Sequence, residues 1–186
     1  MQNSKFKEYI QPTVVLVAIC LVITFALAYV NSITAPIIEQ HAVEAANVTR
    51  AELLPSADDF KAVDKELVVV EEGKIWVTEA YEATNGSGMV VTVNTASFGG
   101  ILTEMVAIDK DGKVVGVKVT AHGDTKGLGT KAHEPAYLAE QYNGKTELGN
   151  ADNIKGDSSV SAVTGATISS NAVYQGVCAA LQQYNK

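Results

Sequence analysis

Cysteine and histidine are scarce in this chain of 186 residues, two of the first and three of the second. That scarcity excludes a dense disulfide framework and a cysteine-rich zinc site. Basic residues are in the minority as well: 14 Lys+Arg stand against 21 Asp+Glu, a formal charge of −7. Neutralising phosphates takes clustered Lys and Arg, so the balance argues against a nucleic-acid partner. No Gly-x-Gly-x-x-Gly opens a strand–helix unit, and no Gly-x-Ser-x-Gly elbow presents a nucleophilic serine. A Rossmann dinucleotide site and an α/β-hydrolase are thereby set aside. Disorder is excluded for most of the chain, because 47% of it is hydrophobic and only 19% charged.

Charge is absent altogether from Pro12 to Val30. As a helix that run is about 28 Å long, against a bilayer core of about 30 Å. Lys5 and Lys7 precede it, Glu39, His41 and Glu44 follow it, and the first later basic residue is Arg50. The positive-inside rule then puts the N-terminus in the cytoplasm and the body on the extracytoplasmic face of the cell membrane. Tyr9 and Tyr29 fall near the two interfaces. The run exceeds the apolar core of a cleaved signal peptide and no small-x-small site follows closely, which predicts a retained single-pass anchor. Cys20 reads as a small apolar residue within it. The predicted division is an anchor over 1–35 and a folded domain over 36–186.

Pro36 suits the first turn of a helix, with Thr34 or Ala35 near its cap, and the apolar spacing carries that helix to Leu54 before Pro55 stops it. The period then changes to two. Strands are predicted over 67–70, 74–81, 89–94, 105–108 and 114–120, with turns at Glu71-Glu72-Gly73 and Asp109-Lys110-Asp111-Gly112. A short helix is predicted over 131–142 and a loop over 144–156. In the last segment Val173, Val177, Ala180, Leu181 and Tyr184 line one helical face, with Ser169, Ser170 or Asn171 as the cap. Cys178 lies one position from that stripe and reads as a core thiol, out of reach of Cys20. The pattern is α+β: a single N-terminal transmembrane helix, then an antiparallel sheet flanked by helices.

Two stretches combine glycine with polar side chains. The first is His122-Gly123-Asp124-Thr125-Lys126-Gly127-Leu128-Gly129, directly after a strand. Its glycines permit tight turns and close approach of backbone to a ligand. The second is Ser161-Ala162-Val163-Thr164-Gly165-Ala166-Thr167-Ile168-Ser169-Ser170-Asn171, where hydroxyls gather at a helix start. Free N–H groups and the positive dipole end there favour a phosphate. On residue types alone the first reads as a solvated loop and the second as an ordinary helix cap, with a ligand loop and an anion site as the alternatives. Neither carries the Gly-Lys-Ser/Thr of a Walker loop. His122 and His133 match no standard metal spacing, and no metal is expected.

Together the two stretches resemble the covalent FMN-binding domain family. Thr164-Gly165-Ala166-Thr167 is similar to its Ser/Thr-Gly-Ala-Thr motif, and His122 to Gly129 to its His-x-Glu-Thr-Pro-Gly-Leu-Gly motif. The Gly99-Gly100-Ile101 step fits as well, and the resemblance covers essentially the whole chain. Within the family the match looks like the G component of the Rnf electron-transport complex. The C component of the sodium-translocating NADH:quinone oxidoreductase and stand-alone extracellular flavin carriers are the nearer alternatives. A cofactor-free binding module is the alternative of another class. The resemblance implies FMN joined through its phosphate to Thr167, with Thr164, Gly165 and Ala166 recognised by a flavin transferase. It implies that His122, Asp124, Thr125, Gly127, Leu128 and Gly129 belong to the flavin site. It further implies partner membrane proteins of an Rnf complex and electron transfer without a substrate-turnover site of its own. Asp124 stands where the family has Glu, Lys126 where it has Pro, and Ser161 where an Asp commonly precedes the threonine motif.

Overall fold

The computed structural model describes residues 2–149 and 153–186. The side chains of residues 2–9, Lys5, Lys7 and Tyr9 among them, and of Glu39 lie outside that description. The described chain forms two compact units that divide between Asn47 and Val48.

Helix α1 runs Gln2–Leu53 and contains both Pro12 and Pro36. Pro36 therefore does not open a helix, and Thr34 and Ala35 are not its caps; all three lie inside α1. Proline inside a helix removes one N–H donor. Nearby, the Ser32 and Thr34 hydroxyls turn inward onto the carbonyls of Tyr29 and Val30, at 2.8 and 3.0 Å. Such back-bonding keeps polar groups paired on an apolar helix. Within Ile10–Leu53 an 18-residue window reaches a mean hydropathy of 2.7 with none of it buried, so by length and composition α1 is able to cross a membrane.

The second unit is built on a six-stranded antiparallel sheet: β1 Phe60–Ala62, β2 Val69–Glu71, β3 Ile75–Ala83, β4 Gly88–Ser97, β5 Gly100–Asp109 and β6 Val114–Ala121. The order is β1-β3-β4-β5-β6, and β2 also pairs with β3. Helix α2 covers Pro135–Tyr142 and helix α3 Thr167–Tyr184. The architecture is the α+β one that the periodicity predicts. Short β1 is an addition, and a 3-10 turn over Ile154–Gly156 lies in the stretch read as loop; residues 150–152 of that stretch are outside the described chain.

One face of the sheet packs on α3. Val91, Val93, Leu102, Val106 and Ile108 meet Val173, Val177, Ala180 and Leu181 in a single core. Cys178 is buried beside them, and burial pushes its thiol up to about 12. On the opposite face lies the end of α1. There the Arg50 guanidinium stacks 3.7 Å above the Tyr81 ring and bonds Glu79 at 2.7 Å. Gly116 leaves room for the Leu53 side chain, since a Cβ would meet its Cδ2 at 2.8 Å.

Strand β5 begins five residues before the predicted 105. It pairs with β4 in unbroken register from Gly88–Asp109 to Ser97–Gly100. Glu104 hides this in the sequence, because it reads as a surface residue. It points instead into the core, fully buried, with neither carboxyl oxygen hydrogen-bonded among the described residues. Gly176 on α3 lies over it, and a Cβ there would collide with the carboxyl group. Burial raises the Glu104 pKa well above the ordinary carboxylate value, because desolvation disfavours the charged form. Its raised folded pKa makes stability full at acid pH and progressively lost as pH rises through the window between the unfolded and folded values. The expected slope is up to about 1.4 kcal/mol per pH unit, one proton's worth. Urea unfolding of Glu104→Gln at several pH values should show that slope removed.

Candidate functional site

The two glycine stretches fold into the same local device. In the first, the Leu128 N–H donates to the Thr125 carbonyl at 3.2 Å, and Gly127 has φ +76°. In the second, the Ala166 N–H donates to the Val163 carbonyl at 3.0 Å, and Gly165 has φ +82°. Each is a four-residue turn whose third residue needs positive φ, which glycine adopts without steric cost. The turns meet: Leu128 Cδ1 lies 3.3 Å from where a Gly165 Cβ would stand.

Directly after the second turn the chain enters α3. Its first residue is Thr167, and Ala166 is the cap position, with no side chain bonded to the helix end. Ser169, Ser170 and Asn171 are not caps. They lie in the first turns and face inward, where Ser170 Oγ accepts from the Val163 N–H at 3.0 Å and Asn171 Oδ1 from the Ile154 N–H at 2.9 Å. The N–H groups of Thr167, Ile168 and Ser169 thus have no partner within the helix, and no acidic residue occupies the first turn.

A cleft of about 290 Å³ opens at that helix end, lined by Thr125, Leu128 and Gly129 on one side and Gly165 to Ser169 on the other, with Phe98 at the rim. Of the residues singled out in the sequence, Thr125, Leu128, Gly129, Gly165, Ala166 and Thr167 converge here. Gly127 and Thr164 belong to the turns rather than the lining. Ser169, which reads in the sequence as a cap, lines the cleft too, as do Phe98 and Ile168, which carry no signal of their own. Gly129 lets the walls close up: a Cβ would stand 2.8 Å from Asp124 Cβ and 2.9 Å from Ser169 Oγ.

Asp124 lies behind the cleft, not in it. Its carboxylate accepts from Ser97 Oγ at 2.9 and 2.7 Å and from the Gly99 N–H at 2.8 Å. Burial opposes its charge, but Ser97, Gly99, Ser169 and His133 outweigh that and hold its pKa below the ordinary value. His133 Nε2 is 3.1 Å from Asp124 Oδ2, with both side chains nearly inaccessible. The approach lies outside hydrogen-bond direction, and neither ring nitrogen has a hydrogen-bond partner among the described residues. His122 is exposed and sits edge-on to His133, ring centroids 4.6 Å apart. Burial and His122 together lower the His133 pKa, against the pull of Asp124.

Lys126 occupies the second position of its turn, where proline is favoured, and its N–H donates to nothing among the described residues. Lys126→Pro should therefore stabilise the chain by about 0.4–1 kcal/mol, read as a raised urea midpoint at unchanged m. Asp124→Ala should destabilise it by about 2–4 kcal/mol, because the Ser97 hydroxyl and Gly99 N–H lose their acceptor. The Asp124 contribution is present above the ordinary carboxylate value and fades as pH falls through the depressed folded value. The difference between wild type and Asp124→Ala in urea should shrink accordingly on acidification.

Comparison with known proteins agrees with this geometry. The family model for the FMN-binding domain matches residues 98–182, which span the hairpin tip at Phe98, both turns and most of α3. Over 185 residues the chain is 33% identical to the G component of the Na(+)-translocating ferredoxin:NAD(+) oxidoreductase complex of Acetobacterium woodii, covering 91% of this chain and 88% of that protein. It is 30% identical over 168 residues to the G component of the proton-translocating ferredoxin:NAD(+) oxidoreductase complex of Clostridium ljungdahlii, with 88% and 85% covered. The G component of the ion-translocating oxidoreductase complex of Stutzerimonas stutzeri is 27% identical over 190 residues, with 88% and 75% covered. Matched along nearly its whole length and carrying the cleft inside the matched domain, the chain belongs to the family of G components of ion-translocating ferredoxin:NAD(+) oxidoreductase (Rnf) complexes.

Proposed function

We propose that this chain is the membrane-anchored, FMN-bearing electron carrier of an ion-translocating ferredoxin:NAD(+) oxidoreductase, with the FMN phosphate esterified to Thr167. Thr167 carries the assignment: it is the first residue of α3 and lines the cleft, in a turn of helix whose N–H groups lack intrahelical partners. A phosphate joined to a threonine oxygen keeps one negative charge, and an uncapped helix N-terminus suits that charge. Gly165 and Gly129 keep the floor of the cleft free of side chains. Phe98, Leu128 and Ile168, 71%, 48% and 56% exposed, offer an apolar rim suited to a flat aromatic ring.

Bound there, flavin supplies the one- and two-electron redox chemistry. The residues of this chain bind and orient. Thr167 provides the attachment oxygen, the first N–H groups of α3 offset the phosphate charge, and the Asp124 clamp fixes the glycine loop that forms the opposite wall. No general acid or base is needed in the cleft, because electrons enter from one partner and leave to another. A separate flavin transferase would form the ester. Helix α1 would hold the domain at the membrane, N-terminus inside and body outside, beside the polytopic proteins of the complex that move ions. One apolar span without charge offers no ion path of its own.

Co-expression with an active flavin transferase tests this. The denatured wild-type band should fluoresce as flavin in a gel and gain the mass of the esterified cofactor, and Thr167→Ala should abolish both. Protease added outside intact, wall-stripped cells should remove the fluorescent band. No fluorescence in the wild type, with the transferase active on another protein, would sink the covalent assignment. A band protected until the cells are lysed would reverse the orientation.

A further inference from the structure

The Asp124 carboxylate holds three walls of the cleft at once. It is part of the glycine loop, it ties down the Ser97–Gly99 turn, and the Ser169 hydroxyl at the start of α3 adds to its stabilisation. Behind it stands the ionisable group of His133, whose two ring nitrogens have no hydrogen-bond partner among the described residues although the side chain is only 6% exposed. A buried imidazole with no partner serves packing poorly, since an apolar side chain of similar size would avoid the desolvation. Its close polar neighbour is Asp124, with Nε2 3.1 Å from Oδ2.

We propose that His133 is a positioning residue for the cofactor cleft: acting through Asp124, its protonation state sets how tightly the glycine loop, the Ser97–Gly99 turn and the start of α3 are held together. With His133 neutral, the carboxylate is free to serve Ser97 and Gly99. A proton taken from solvent makes His133 a cation beside Oδ2, the oxygen that Ser97 Oγ approaches at 2.7 Å. Charge-assisted pairing is stronger than a bond from a neutral hydroxyl, so the carboxylate turns toward His133 and the Ser97 tie weakens. The cleft wall then shifts with pH.

The groups around His133 are few. From the glycine loop they are Asp124 and His122, the second opposing a proton on its neighbour. On its own segment Lys131 and Glu134 are both exposed. From α2 there is Tyr137, whose hydroxyl donates to the Ser161 carbonyl at 2.7 Å. The first three turns of α3 carry no charged residue, and their Tyr174 donates to Asp157. The Ser97–Gly100 turn contributes none. Burial and His122 keep the folded His133 below the ordinary histidine value, so the neutral, tightly held state prevails at neutral pH.

The flavin readout rests on the function proposed above; a second readout does not. The full chain in detergent, loaded by the transferase, is titrated from about pH 8 to pH 4.5 while flavin absorbance and fluorescence are followed. In parallel, the unloaded Thr167→Ala chain is titrated by NMR on the Gly99 amide and the histidine rings. The wild type should show one reversible spectral transition with a midpoint below about 6.5, the ordinary histidine value. His133→Gln, folded by circular dichroism, should lack it. His122→Gln should keep it at a higher midpoint, because the opposing neighbour is gone. In Thr167→Ala the Gly99 amide should move with the His133 ring. A transition that survives His133→Gln, or a Gly99 amide that ignores the His133 titration, overturns the proposal. If the wild type carries no flavin while Gly99 still follows His133, the cofactor assignment fails and the positioning role stands.

Discussion

The buried carboxylate of Asp124 is the interaction on which the cleft depends. A charge withdrawn from water must be met by donors, and here the donors come from segments far apart in sequence: Ser97 and Gly99 at the β4–β5 hairpin tip and Ser169 at the head of α3. Satisfying one carboxylate therefore fixes three pieces of backbone relative to each other. The glycines follow from that requirement. The backbones of Gly99 and Gly123 cross so closely that a Cβ on either would overlap the other chain segment. Gly129 allows the loop to reach α3 at the same place. The glycine content of these motifs thus reflects packing of backbone around a buried charge as much as access for a ligand.

The same reasoning separates roles that a linear motif merges. Asp124 and Thr125 are neighbours in sequence, yet one holds the loop from behind while the other faces the cleft. Thr164 and Thr167 are three residues apart, yet Thr164 is the exposed second residue of a turn and Thr167 the first residue of the helix. Only the second of each pair lines the cleft. Asp in place of Glu at 124 is then a change in the clamp. The shorter side chain packs its Cβ against Gly129, within a loop drawn up to the Ser97–Gly99 turn.

Much of this was legible in the sequence. The change of period from 3.6 to 2, the turn residues around Gly73 and Gly112, and the apolar stripe of α3 are local signals, and each corresponds to an element of the fold. Thr164 to Thr167 and His122 to Gly129 marked the cleft because both need glycine at a positive-φ turn position. Other features were hidden for physical reasons. Ser97 and His133 matter only through contacts with Asp124, and nothing local announces a long-range partner. Phe98 and Ile168 look like scattered apolar residues until the fold sets them on one rim. Glu104 hides the early start of β5 because a carboxylate normally signals solvent. Pro36 misled the helix assignment because a proline at a helix start and one tolerated inside a long apolar helix look alike in sequence.

On the proposed reading the chain carries electrons, which asks less of a site than substrate turnover does. Chemistry on a substrate requires acids and bases held within reach of reacting atoms. Electron transfer requires a redox group held at a fixed place with an approachable edge. The described cleft has an open apolar rim and no titratable side chain among its lining residues. The ionisable groups, Asp124 and His133, are instead withdrawn one layer behind it. There they shape the walls without offering a proton donor or acceptor to whatever sits in the cleft. On the proposed reading, that separation lets the protein tune the surroundings of a tethered flavin through the loop, while electrons pass at the exposed rim formed by Phe98, Leu128 and Ile168.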